Sequence, residues 1–248
     1  MVLKYMLLLN YGKICDIIYI RVYKERKIYM ASFSMHLAIA KLYLKTHPEE
    51  DIDEFVKGTL EPDLVPSIEK KGRTHYGLHA AWANPAKYLQ ENGKSIENSR
   101  KRGYFLHLVT DYLFYHKLID IDKILDEQDL EYLAKISKEH NTVISQGPNL
   151  SEWVKNQRND FSVLEGEIRN RYDIENYIEF LPENIKKVMT SREGELKVFE
   201  RDSLFRFLED MAKIDLDKLS EELLKNPDAD LIKLFEECRS HSNQGEFR

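Results

Sequence analysis

The chain has 248 residues, of which 42% are hydrophobic and 32% charged, and a net charge of −6 at pH 7. That is one domain of generous size, or a domain with an appendage. The acidic balance argues against a dedicated nucleic-acid binder, which would show a basic face. Cys15 and Cys238 form neither a disulfide framework nor a CxxC pair, which fits a reducing, cytoplasmic setting. Gly and Pro are sparse, and Leu, Ile, Lys and Glu dominate, so the expected fold is all-α, a multi-helix bundle.

Residues 1–34 do not fit that pattern. Lys4, Asn10, Lys13 and Asp16 interrupt their apolar runs, so they supply neither a membrane span nor a good signal peptide. Two readings stand: an N-terminal extension with a natural start at Met30, or a short strand pair, Leu3–Leu9 and Cys15–Tyr23, turned at Tyr11-Gly12. A single helical domain is expected over 35–240, followed by a polar tail over 241–248. Ser34 is the expected N-cap of a helix carrying Met35, His36, Ile39, Ala40 and Tyr43 at helical spacing up to Thr46. Pro48 is expected to open a second helix running to about Val56, with Gly58 stopping it and Pro62 fixing the backbone before Asp63. His75 and His79 are four residues apart, so a helical turn there would place both on one side. A short helix is expected within 80–93, and a long one opened by Ser95. Further helices are expected at Ile121–Glu139, Leu150–Arg158, Ile174–Phe180, Pro182–Met189, Glu193–Ala212, Leu216–Lys225 and Ala229–Cys238.

The long helix carries the run Gly103-Tyr104-Phe105-Leu106-His107-Leu108-Val109-Thr110-Asp111-Tyr112-Leu113-Phe114-Tyr115-His116, which sets two histidines and an aspartate among apolar and aromatic residues. Burying such groups without partners costs roughly 1–3 kcal/mol each. At about 100° per residue, His107 and Asp111 lie within about 40° of each other on a helix and reach one point. His116 lies about 140° round from Asp111 and needs a second metal, a supporting role or an earlier helix end. Six of the eight histidines fall between positions 36 and 116, together with Asp63 and Asp111. Imidazole mixed with carboxylate, without thiolate, suits zinc, manganese or iron in a hydrolytic site. The ligand candidates are His36, Asp63, His75, His107, Asp111 and His116, with His79 either a ligand or a supporting residue. Their number suits two metals sharing a bridging carboxylate, for which Asp111 is the natural choice. Asp63 is also the candidate to orient the attacking water. Tyr76, Arg73 and Lys71 read either as phosphate contacts or as solvated surface.

Four segments carry a resemblance: Met-His-Leu-Ala-Ile-Ala at 35–40, Phe-x-x-Gly-x-x-x-Pro-Asp at 55–63, Thr-His-Tyr at 74–76, and Gly-Tyr-x-x-His-x-x-x-Asp-x-x-x-x-His at 103–116. In order and rough spacing they resemble the zinc-dependent phospholipase C family, which is related in fold to the S1/P1-type nucleases. The resemblance covers about a third of the chain. It implies an all-helical fold and a zinc cluster that hydrolyses phosphodiesters. It further implies that Asp63, His75, His107 and Asp111 hold one metal, that His36 with bridging Asp111 holds another, and that His116 binds the remaining zinc. The downstream His-x-x-x-Glu pair of secreted members has no counterpart here, since Ile144 stands four residues after His140.

The expected activity is metal-dependent phosphoric ester hydrolysis of the phosphodiesterase or phospholipase C kind, on a small phosphorylated substrate or a phospholipid head group, with no stable nucleic-acid complex. Two further readings are an HD-like phosphomonoesterase or nucleotidase, and a non-catalytic helical module with a structural metal.

Overall fold

A computed structural model of the protein describes residues 32–65, 68–77, 79–93, 96–129 and 148–239. Both expectations for the N-terminal segment concern residues 1–31 almost entirely, and these lie outside the described residues, as do the tail after 239 and most of the expected helix Ile121–Glu139. Among the described residues no strand forms, and one isolated antiparallel bridge joins Ile214 to Arg239. The fold is an all-α multi-helix bundle. No described helix is long and apolar enough to cross a membrane.

The first helix, α1 (Phe33–Thr46), is capped by Ser32, whose hydroxyl accepts the Ser34 N–H at 3.2 Å. Ser34 was the expected cap. It is instead a buried helical residue whose hydroxyl bonds the Glu165 carboxylate on a distant helix. Phe33 to Leu44 are all buried except Lys41, so α1 is a central helix and not a surface one with a single apolar stripe. The second helix, α2 (Ile52–Leu60), starts at the Asp51 cap and not at Pro48, because the Asp51 carboxylate accepts the Glu54 N–H at 3.0 Å.

Gly58 does not stop α2; it lies inside it. A Cβ placed there would sit 2.0 Å from the carbonyl oxygen of Arg100. Gly103 mirrors it, since a Cβ there would lie 2.1 Å from the carbonyl oxygen of Phe55. The partner helix is α5 (Ser99–Leu113), capped by Asn98, which accepts the Lys101 N–H at 2.9 Å. Thus α2 and α5 pack backbone against backbone through two glycines. Phe55, Val56, Leu60, Phe105, Leu106 and Val109 bury around this contact, each such side chain contributing about 1.5–3 kcal/mol.

Between them lie the short helices α3 (Ile68–Thr74) and α4 (Pro85–Glu91), the latter begun by Pro85 and capped by Asn84. After Leu113 the backbone widens into a π turn, Phe114–Leu118. Phe114 there packs against Phe161, Phe199 and Phe207, with ring centroids 5.7 to 6.1 Å away. At Ile121–Lys123 a single 3-10 turn replaces the start of the expected helix.

The second half is led by α6 (Pro148–Tyr172), 25 residues long and far beyond the expected end at Arg158. It is followed by α7 (Glu175–Ile178), α8 (Glu183–Lys186), α9 (Arg201–Met211), α10 (Leu216–Lys225) and α11 (Leu231–Cys238). The expected helix from Glu193 begins only at Arg201. Buried Asp160 on α6 takes the N–H groups of Lys197, Val198 and Phe199 at 2.6 to 2.9 Å, so those amides serve the carboxylate and not a helical ladder.

In an exposed helix Gly→Ala gains roughly 1 kcal/mol. Gly103→Ala is expected to lose about 3 kcal/mol or more in urea unfolding, because the new methyl must part α2 from α5. Wild-type stability in that variant would refute the close contact.

Candidate metal centre

Two short elements and one long helix present the central side chains. The 3-10 turn Glu61–Asp63 follows α2 directly and buries Asp63. The Thr74 hydroxyl donates to the Pro62 carbonyl at 2.8 Å, tying this turn to the end of α3. There the chain reverses. Tyr76 adopts a left-handed φ of 59°, its N–H bonds the Arg73 carbonyl at 3.2 Å, and the Gly77 N–H reaches back to Gly72 at 3.1 Å. This is a Schellman closure with tyrosine where glycine is usual, at a conformational cost of about 1–2 kcal/mol. Tyr76 is held by edge-on contacts with Tyr88 and Tyr104 and by the Asn92 amide, which donates to its hydroxyl at 2.8 Å. His75 is the last residue before the reversal. The Tyr104 hydroxyl of α5 fixes the preceding carbonyl, Thr74, at 2.6 Å.

Each of the two central imidazoles is locked through Nδ1. His75 Nδ1 lies 2.8 Å from the Lys71 carbonyl, and His107 Nδ1 lies 2.7 Å from the Thr59 carbonyl. A carbonyl only accepts, so each Nδ1 carries a proton and each neutral ring offers its lone pair at Nε2. The Thr59 contact exists because Gly58 and Gly103 bring α2 onto α5. The two Nε2 atoms are 3.1 Å apart. His75 Nε2 lies 3.1 Å from Asp111 Oδ2 and 3.6 Å from Asp63 Oδ1, and His107 Nε2 lies 3.5 Å from Asp111 Oδ2.

Asp63, His75, His107 and Asp111 are 0–2% exposed, and one donor atom from each lies within 4.8 Å of all the others. Four electron-pair donors this close, out of water, repel unless a cation sits among them. Nitrogen and oxygen donors without thiolate accommodate a zinc, manganese or iron ion alike. The buried cluster could therefore hold a metal ion, its Nδ1–carbonyl bonds being the usual support of metal-bound histidine.

The charges agree with a cation-binding centre. Burial alone would raise the Asp111 carboxyl, but the imidazoles of His107, His36 and His75 packed around it outweigh that and hold Asp111 well below the usual carboxylate range. Burial likewise opposes ionised Asp63, and the Lys71 ammonium with the nearby histidines keeps it ionised. Lys71 is fully buried and ion-paired to Asp63 Oδ1, which removes the solvated-surface reading of that lysine. Lys71 is the residue whose place the sequence reading missed. The signal lay in its spacing: it stands four before His75, so a helix that turns His75 inward turns Lys71 inward too.

The remaining expected residues divide. His36 is buried and stacks on the His107 ring, centroids 3.9 Å apart at 12°, with Nε2 3.2 Å from Asp111 Oδ1. It meets the cluster through Asp111. His116 is not brought in. It sits on the π turn with Nε2 2.7 Å from the Ala81 carbonyl and Nδ1 3.5 Å from Asp122. Five residues beyond Asp111, its side chain leaves α5 in another direction. His79 does not share a helical turn with His75, because Tyr76 reverses the chain between them. Its Nδ1 accepts the Ala81 N–H at 3.4 Å, opening the 3-10 turn Ala80–Trp82. Arg73 is exposed.

Comparison with models of known protein families, with characterised proteins and with solved structures finds no match for the chain. The centre therefore stands on its own geometry.

Burial, reinforced by the Lys71 ammonium, pushes the His79 pKa down to about 3, and burial also lowers that of His36. Both are depressed relative to the unfolded chain, so the stability they contribute is present above about pH 6.5 and lost below it. Metal-free protein is expected to lose stability as pH falls below 6.5, by up to about 1.4 kcal/mol per pH unit from His79, with His36 acting in the same direction. Urea midpoints measured in chelator across pH 7 to 4 test this, and a flat profile would contradict neutral burial of these rings.

Proposed function

We propose that the chain is a metal-dependent phosphoric ester hydrolase of the phosphodiesterase or phospholipase C kind, and that its bundle is of the phospholipase C/P1 nuclease type. One observation carries the reading: two imidazoles with carbonyl-locked Nδ1 atoms and two ionised carboxylates turn their donor atoms on one buried point. The resemblance of segments 35–40, 55–63, 74–76 and 103–116 to the zinc-dependent phospholipase C family supports a diester as the substrate class.

Asp63, His75, His107 and Asp111 would hold the ion. Bound there, a divalent metal supplies Lewis acidity, lowering the pKa of a water towards about 7 and polarising a phosphoryl oxygen. Asp63 does the proton work. Lys71 engages its Oδ1, while Oδ2 makes no hydrogen bond and is the acceptor for the proton of the attacking water. His36 Nε2 stands 3.2 Å from the far oxygen of Asp111, and the carbonyls of Thr59 and Lys71 keep His107 and His75 aimed.

Full burial of the four donors favours a second reading, a closed structural centre with four protein ligands and no chemistry. A third reading, a phosphomonoesterase or nucleotidase, would use the same ligands.

The reading predicts that His107→Ala and Asp111→Ala each lose bound metal and at least about 100-fold in turnover of a chromogenic phosphodiester, since a missing ligand removes the Lewis acid. Undiminished turnover in either variant refutes it. Retained metal in an inactive wild type gives the structural reading, and faster turnover of monoesters than diesters gives the nucleotidase. Phosphatidylcholine vesicles assayed alongside distinguish lipid from small soluble diesters.

A further inference from the structure

We infer that the centre is built for a single metal ion, with Asp63, His75, His107 and Asp111 as its ligands and with Lys71 and His36 as the residues that position the two carboxylates. The inference rests on the metal-centre reading above and fixes its stoichiometry and the division of labour within it.

Each donor has its own supporting contact, with the Thr74 hydroxyl a second one 3.2 Å from His75 Nδ1. His75 gives its Nδ1 proton to the Lys71 carbonyl and His107 gives its own to the Thr59 carbonyl. Asp63 takes the Lys71 ammonium on Oδ1, and Asp111 takes His36 Nε2 at 3.2 Å on Oδ1. Each of the four donors thus has a supporting partner behind it, which is the arrangement that orients ligands around one ion. Lys71 supplies two of these supports, its carbonyl to His75 and its ammonium to Asp63.

His36 differs from the two central histidines where it matters. Their Nδ1 atoms are anchored on carbonyls, whereas neither ring nitrogen of buried His36 makes a hydrogen bond, its Nε2 standing 3.2 Å from Asp111 Oδ1 as a close contact. A ring with no anchor behind it is poorly set to hold a metal of its own. Stacked on His107, it holds its Nε2 3.2 Å from the Asp111 carboxylate, on the side away from the clustered donors.

Charge points the same way. Asp63 and Asp111 bring two negative charges and Lys71 one positive, all out of water, which leaves one negative charge in the centre. One divalent ion turns that into a single positive charge, which an incoming phosphate or hydroxide neutralises. A second divalent ion would bury a large excess of positive charge beside the fixed ammonium, with no further acid among the clustered donors to offset it. Lys71 thus stands where a second metal would otherwise supply the charge.

Metal-free full-length protein titrated with cobalt(II), followed by visible d–d absorption, should saturate at one equivalent. Native mass spectrometry after zinc loading should show one ion per chain. His36→Gln should still bind one ion, with affinity weakened on the order of 10–100-fold, as loss of a partner that supports a ligand does. Saturation at two or three equivalents, or a wild type holding one ion more than His36→Gln, overturns the inference while leaving the metal centre standing. A folded wild type that binds no ion overturns both. Should His36→Gln fail to fold by circular dichroism, the wild-type titration alone decides.

Discussion

Two glycines set the distance on which the centre depends. Gly58 and Gly103 let the backbones of α2 and α5 touch, and any side chain at either position would collide with a carbonyl of the other helix. That contact brings the Thr59 carbonyl onto His107 Nδ1 and so decides which nitrogen of His107 faces inward. Because α2 runs straight into the turn that carries Asp63, the same contact sets how far Asp63 lies from His107. Apolar burial around Phe55, Leu60 and Phe105 supplies the cohesion, but cohesion alone would hold two helices at ordinary spacing. The glycines turn packing into a tautomer choice.

The rest of the centre follows from keeping charge out of water. Two carboxylates buried within a few ångströms of each other are tenable only when opposite charge and hydrogen bonds surround them. Lys71 and the three histidines meet that need from separate elements: α3 gives Lys71, its end gives His75, α5 gives His107, and α1 gives His36. The position of α1 is itself set by a polar contact. Buried Glu165 of α6 holds Ser32 and Ser34 at the start of α1, two residues before His36. Burial raises the Glu165 pKa, while the Ser34 and Ser32 hydroxyls, donating to the carboxylate, pull it back down. A polar pin at one end of α1 and a stacked histidine within it thus keep a largely apolar helix in one register against α5.

The parts of the centre that were legible in the sequence are the local ones. His107 and Asp111 share a helix face at four-residue spacing, and a helix is rigid enough that spacing alone brings them together. Pro62 before Asp63 marked a fixed turn. The readings that failed depended on distant partners. Alone, glycine punctuates, so the sequence reads Gly58 as a helix stop; only Arg100 across the interface makes it a packing residue. The amides of 197–199 carry a helical pattern, yet Asp160 claims them. The length of α6 was missed because its polar residues past Arg158 hide a periodic apolar face at Phe161, Leu164 and Ile168.

By itself, then, the sequence determined an all-helical chain and a short roster of imidazoles and acids able to meet on a cation, since helical period and side-chain chemistry are properties of the chain alone. Tertiary structure decided which of them meet. It drew Asp63, His75, His107 and Asp111 to one point, set His36 behind Asp111, buried Lys71 against Asp63, and left His116 on a carbonyl outside the cluster. The reason is that a buried donor is aimed by whatever stands behind it, and here those supports, the carbonyl of Thr59 above all, lie on other helices far away in sequence.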